Sequence, residues 1–101
     1  MSYTLTLHTP DGASPQARQQ AERRFCRALE EALGDAALVV PVYEAVQRIR
    51  AQHGPEPDLE ALTPDERTVL ELWLQAESAA LAAVFGPHRH LDEGGYEIRL
   101  D

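Results

Sequence analysis

The chain has 101 residues, a formal net charge of −8 and one cysteine, Cys26. This length has room for one domain, so we predict a single domain over residues 1–101. One cysteine excludes an internal disulfide and fits a reducing, cytoplasmic compartment. We also expect no secretory leader and no membrane-spanning segment, because the first residues lack an apolar core and no apolar run approaches about 20 residues.

The negative charge is unevenly distributed along the chain. Residues 1–54 carry six arginines and six acidic residues, whereas residues 55–101 carry three arginines and eleven acidic residues. A strongly acidic half repels nucleic acid, which favours a basic protein as partner. All nine basic residues are arginine, and the bias towards arginine, alanine and proline is typical of a GC-rich, bacterial-like genome.

The two ends of the chain carry matching strand patterns. Residues 3–8 alternate between apolar and polar side chains, and residues 96–101 do the same. Such period-two alternation is typical of strands with one buried face. We predict that the two strands pair antiparallel with each other over the helices between them and leave two open sheet edges.

The first two helices have local start and stop signals. Ser14 is a good N-cap, Pro15 suits the first helical position, and Gly34 ends the first helix. A second helix is predicted over residues 41–54. Between them, residues 36–40 form a short apolar run whose periodicity does not distinguish a strand from a helical turn.

The third helix has the strongest start signal. Residues 63–66, Thr-Pro-Asp-Glu, form a capping box, and the helix is expected to run to Phe85. Its apolar arc is wide and includes Leu74, which predicts that the helix is central or contacts a second subunit. Before it, Leu59 and Leu62 are expected to hold the preceding loop on the core. The predicted fold is therefore a small α+β domain in the order β-α-α-α-β.

Four acidic residues are the candidate partner-binding residues: Glu56, Asp58, Glu60 and Glu71. The first three form a cluster on the loop before the third helix. A solvated surface is the plainer interpretation. Mimicry of DNA is disfavoured, because helical geometry spreads the carboxylates of the third helix around its circumference rather than aligning them like phosphates.

Two further titratable residues fall on apolar helix faces. Glu77 lies among the apolar residues of the third helix, and His53 lies close to the apolar face of the second. Buried groups of this kind can perform acid–base chemistry. The plainer interpretation is that Glu77 pairs with an arginine of another helix or subunit, and that His53 favours the helix dipole in the last turn.

Metal binding and catalysis have weak support. In an extended segment His88, His90 and Asp92 would point the same way and could ligate a transition metal, although no fourth ligand is nearby. Cys26 lies at the edge of an apolar face, which is typical of a small core residue. No phosphate-binding glycine loop is present, so we expect neither an enzyme nor a bound cofactor.

The sequence therefore predicts a small, acidic, non-enzymatic interaction domain of a regulator, inhibitor or immunity type that docks on a basic protein. One alternative is an obligate homodimer formed through sheet edges or third helices. The other is a metal-binding domain that uses the segment from His88 to His90.

Overall fold

A computed structural model describes residues 2–8, 14–85 and 95–100 of the chain. Two strands enclose three helices along the sequence, which confirms the predicted β-α-α-α-β order. The elements are β1 (Tyr3–His8), α1 (Pro15–Leu33), a 3-10 turn (Ala36–Leu38), α2 (Val39–His53), a second 3-10 turn (Leu59–Ala61), α3 (Pro64–Phe85) and β2 (Gly95–Leu100). None of the described helices is long and apolar enough to cross a membrane.

The two strands form one antiparallel sheet, as predicted. Its register runs from Tyr3 opposite Leu100 to His8 opposite Gly95. The sequence predicts two open sheet edges, and a side chain of α1 partly covers the edge of β1. The Leu7 N–H donates to Glu22 Oε2 at 2.9 Å instead of facing solvent.

Helix α1 begins and ends where the sequence predicts. Ser14 Oγ accepts a hydrogen bond from the Ala17 N–H at 3.1 Å, which satisfies one of the unpaired donors of the first turn. Gly34 ends the helix with a φ of 96°, a left-handed conformation that favours glycine. The buried residues recur every fourth position and pack mainly against α3: Ala21, Phe25, Leu29 and Leu33.

Residues 36–40, left open by the sequence, are helical. Residues 36–38 form the first 3-10 turn, which is capped by a hydrogen bond from the Ala37 N–H to Asp35 Oδ1 at 2.9 Å. Helix α2 starts at Val39, two positions before the predicted start at Pro41. Proline is compatible with this first turn because its missing N–H would have no intrahelical partner there.

Helix α3 lies at the centre of the core. Trp73 is fully buried, and its ring lies 5.4 Å from that of Tyr43 on α2. The small buried residues Ala76 and Ala80 face the interior on the next two turns. The central position is one of the two alternatives predicted from the wide apolar arc, and Leu74 on that arc remains 42% exposed.

The loop before α3 is attached to the core through one leucine rather than two. Leu62 is buried, as expected, whereas Leu59 is 44% exposed. The Leu59 carbonyl instead accepts a hydrogen bond from Arg67 Nη2 at 2.8 Å, so a side chain of α3 fixes the loop from the solvent side. This attachment positions the acidic residues of the loop beside the start of α3.

Candidate functional site

A groove of about 540 Å³ separates the C-terminal half of α2 from the first turns of α3. Ala45, Ile49 and Val69 provide its apolar surface, and the remaining lining residues are mostly polar or charged. The lining comprises Ala45, Arg48, Ile49, Ala51, Gln52, Asp65, Glu66 and Val69. The α2 residues fall on one side of the helix because residues three, four and seven positions apart share a face.

The capping box of α3 fixes the acidic rim of this groove. Thr63 Oγ1 accepts from the Glu66 N–H at 3.2 Å, and Glu66 Oε1 accepts from the Thr63 N–H at 3.0 Å. The backbone hydrogen bond from Thr63 holds the pKa of the Glu66 carboxyl below its ordinary value. Glu66 is therefore ionised at neutral pH and held in one orientation at the rim.

His53 joins the end of α2 to the same rim. Its Nε2 lies 3.8 Å from Glu66 Oε2, and both side chains are 26% exposed. The residue occupies the last turn of α2, as expected. Its main contact is thus with a carboxylate of α3, which sequence reasoning did not identify.

The three predicted loop carboxylates lie in the connection between α2 and α3, and none of them lines the groove. Glu56, Asp58 and Glu60 are all exposed. Asp58 also has a structural role, because its Oδ1 accepts from the Glu60 N–H at 3.1 Å and caps the 3-10 turn. Together with Asp65 and Glu66, these residues give five carboxylates between positions 56 and 66, a stretch without a single arginine.

Glu71, the fourth candidate partner-binding residue, is exposed but does not line the groove. Asp65, Glu66 and Val69 share one side of α3. At 100° per residue, Glu71 projects from nearly the opposite side of the helix. The structure thus brings the loop cluster together with the start of α3 and leaves Glu71 on another face.

Glu77 lies in a second polar cluster, between α3 and β2. Its Oε2 accepts a hydrogen bond from the Tyr96 hydroxyl, so the expected arginine partner is replaced by a tyrosine. The Tyr96 ring also packs against Phe25, with the ring centroids 4.9 Å apart. Burial, followed by the hydrogen bond to Glu77, raises the pKa of Tyr96 above its ordinary value, which keeps the hydroxyl protonated as a donor.

Two buried polar atoms, Arg50 Nε and Trp73 Nε1, lie beside this cluster. In the described part of the chain neither has a hydrogen bond of normal geometry, although the Trp73 side chain still acts as a donor towards the Tyr96 hydroxyl. The positive charge of Arg50 favours the ionised form of Tyr96, whereas the negative charge of Glu77 disfavours it. The arrangement holds β2 against the helices.

The remaining candidates are the three possible metal ligands and Cys26. His88, His90 and Asp92 lie outside the described residues, so the structure does not test the metal hypothesis there. Within the described ranges, no three histidine, cysteine or acidic side chains are grouped to hold a metal ion. Burial raises the pKa of the Cys26 thiol, which disfavours the nucleophilic thiolate.

Arg23, Arg24 and Arg27 form a basic cluster on the exposed side of α1. Arg27 Nε lies 3.5 Å from Glu31 Oε1, and both side chains are largely exposed. A shallow depression of about 400 Å³ runs beside it, lined by residues of α1 alone.

In comparisons with known proteins, no family model, curated protein or solved structure matches this chain. The candidate function therefore depends on the geometry of the groove and of the carboxylates around it.

Proposed function

We propose that this chain is a non-enzymatic interaction domain that binds a basic segment of a protein partner in the groove between α2 and α3. The observation that supports it most directly is the combination of an apolar groove floor with an acidic rim. Ile49 and Val69 offer apolar contact, while Asp65 and Glu66 add negative charge on the α3 side. Helical segments commonly dock in such grooves through one apolar face.

Charge complementarity selects the kind of partner. The loop carboxylates Glu56, Asp58 and Glu60 are exposed in the connection that leads into the start of α3. Arg48 is the one arginine among the groove-lining residues. A partner segment with leucine-like anchors on one face and arginine or lysine beside them fits this pattern, because opposite charges speed association and disfavour acidic competitors.

A defined peptide provides the first test. We would titrate the isotope-labelled chain with a helical peptide of leucine and arginine and follow backbone amide resonances. The expected changes cluster at Ala45, Ile49 and Val69 and weaken as salt is raised. A leucine–glutamate peptide of the same length should leave these resonances unchanged. Changes spread evenly over the acidic surface, or binding that does not depend on salt, would contradict the proposal.

Two double variants with the same loss of charge sharpen this test. Glu56→Gln with Glu60→Gln neutralises the acidic loop that leads into α3, whereas Glu31→Gln with Glu71→Gln neutralises exposed carboxylates elsewhere. We expect the first pair to weaken peptide binding about three- to tenfold and the second to change it less than twofold. Equal effects of the two pairs would show that only net charge matters.

A groove-blocking variant tests the apolar contact separately. Ala45→Arg places a long cationic side chain on the groove floor and leaves every loop carboxylate in place. The peptide should then no longer perturb Ile49 and Val69. The same variant, used as a matched bait beside the natural chain in native-host lysate, identifies a physiological candidate as a basic protein lost only from the variant.

A further inference from the structure

Within the described residues, the outer edge of β2 carries an unpaired row of backbone groups. Leu7 donates its N–H to Glu22, away from β2, so Leu7 and Tyr96 form a non-hydrogen-bonded pair of the ladder. Because the two kinds of pair alternate, the N–H and C=O groups of Tyr96, Ile98 and Leu100 all face the outer edge. Among the described residues, none accepts a hydrogen bond from these three N–H groups.

We propose that this edge pairs with β2 of a second copy of the chain, antiparallel and centred on Ile98. In that register Ile98 lies opposite its own counterpart, and Tyr96 lies opposite Leu100 of the second copy. Each copy contributes three outward N–H donors, about six backbone hydrogen bonds in the pair. The two-stranded sheet then becomes a four-stranded one, which removes the less stable isolated ribbon.

Charge selects this register over its neighbours. Glu97 and Arg99 are exposed on the outer face of the sheet, and centring on Ile98 places each Glu97 opposite Arg99 of the other copy. Centring on Glu97 or on Arg99 instead sets like charges against each other. Directly opposed side chains of opposite charge stabilise a sheet, and like charges destabilise it.

The existing contacts leave these charges free to pair. Arg99 lies opposite Thr4 in β1 and has no ion-pair partner within residues 2–8, 14–85 and 95–100. Glu97 has one weak contact, with Oε2 at 3.9 Å from Nε2 of His8, where both side chains are more than 60% exposed. A second copy would therefore add an ion pair for each residue without breaking a buried one.

The helix-facing side of the strand supports the same pairing. Ile98 is 8% exposed, whereas Tyr96 and Leu100 on either side of it are only half-buried. Placing Tyr96 beside Leu100 of the second copy covers apolar surface that β1 and the helices leave open. Unlike the β1 edge, where Glu22 accepts the Leu7 N–H, the β2 edge carries no proline and no inward-pointing charge to prevent pairing.

This inference is independent of the proposed function. The groove lies between α2 and α3, and the pairing edge belongs to β2. The experiments on this edge use the purified chain alone and need no partner peptide, so the two proposals fail separately.

Sedimentation equilibrium of the full chain tests the dimer. We would work from about 10 to 1,000 µM at low salt, because an interface of one strand edge is small and falls in the weak range. We expect a reversible monomer–dimer equilibrium within this range. A monomer at every concentration would overturn the proposal.

Charge swaps test the register. Glu97→Arg and Arg99→Glu each set like charges against each other, and each should weaken dimerisation about tenfold or more. The variant that carries both changes restores opposite charges and should dimerise like the natural chain. An equimolar mixture of the two single variants should form a heterodimer. Failure of both the swap and the mixture to restore pairing would overturn the proposed register.

Two controls keep the test independent of folding. Glu31→Arg makes the same reversal of charge on α1 and should not change association beyond its effect on net charge. In the natural chain, hydrogen exchange at the Ile98 amide should slow as concentration rises, whereas exchange at Thr6, which faces β2 within the monomer, should not. Concentration-independent exchange at Ile98 would contradict pairing through this edge.

Discussion

The hydrogen bond between Tyr96 and Glu77 is the polar contact that fixes β2 on the helices. Tyr96→Phe keeps the ring against Phe25 but leaves the half-buried Glu77 carboxylate without its donor. We expect a loss of about 1–3 kcal/mol in the free energy of unfolding, because a group stripped of its partner still has to leave water. Urea unfolding at neutral pH measures this loss.

Tyr43→Phe is the matched control for that change. The Tyr43 hydroxyl accepts from Gln47 Nε2 at 2.7 Å, but this contact is exposed to solvent, where water replaces a lost partner. Tyr43→Phe should therefore lower the free energy of unfolding clearly less than Tyr96→Phe does. Glu77→Gln retains an acceptor for Tyr96 and should also cost less. Equal costs for the two tyrosine variants would remove the proposed role of Glu77.

Acidification should weaken the start of α3 through Glu66. Its folded pKa is lowered by the hydrogen bond from the Thr63 backbone, so the stabilisation is present above the unfolded pKa of about 4.3 and is lost as pH falls through the folded value. The free energy of unfolding of the natural chain should therefore decrease more steeply below that pH than that of Glu66→Gln. Parallel pH profiles for the two proteins would contradict this assignment.

At the scale of the element, the capping box sets the beginning of α3. Thr63→Ala removes the side-chain acceptor for the Glu66 N–H and should cost about 0.5–2 kcal/mol of stability. Thr68→Ala is the control on the same helix, since Thr68 Oγ1 only donates back to the Pro64 carbonyl. Alanine favours a helix interior, so this control should be neutral or slightly stabilising in thermal unfolding.

Local signals explain why the order of the elements could be predicted. Alternation defines β1 and β2, while Ser14, Gly34 and Thr63 mark helix ends through contacts within four residues. The early start of α2 at Val39 has no such signal, since residues 36–40 are uniformly apolar. A short apolar run fits the repeat of a strand as well as that of a helix, so only its packing decides which conformation it adopts.

Contacts between distant elements explain what the sequence could not provide. The Glu77–Tyr96 pair joins residues 19 positions apart, and the groove forms only where α2 and α3 diverge. The apolar pattern of α3 identified its buried side, yet it also assigned Leu74 to that side, and Leu74 is 42% exposed. The acidic loop was identified from composition, whereas Glu66 beside it was identified from its place in the capping box.

The distribution of charge is a property of the whole molecule, and it should limit stability at low salt. The net charge of −8 is concentrated in the second half of the chain, with five carboxylates close together at the start of α3. Mutual repulsion among them opposes the folded state and is screened as ionic strength rises. We therefore expect Tm at neutral pH to increase with sodium chloride.

The two charge-matched double variants separate local repulsion from net charge. Glu56→Gln with Glu60→Gln relieves the acidic loop directly, and a gain of about 0.5 kcal/mol would raise Tm at low salt by roughly 2–4 °C. Glu31→Gln with Glu71→Gln removes the same charge but also the Arg27–Glu31 pair, so it should gain less. The first variant should also respond least to added salt. The same carboxylates that favour a basic partner would then cost the free chain stability, and binding that partner would recover it.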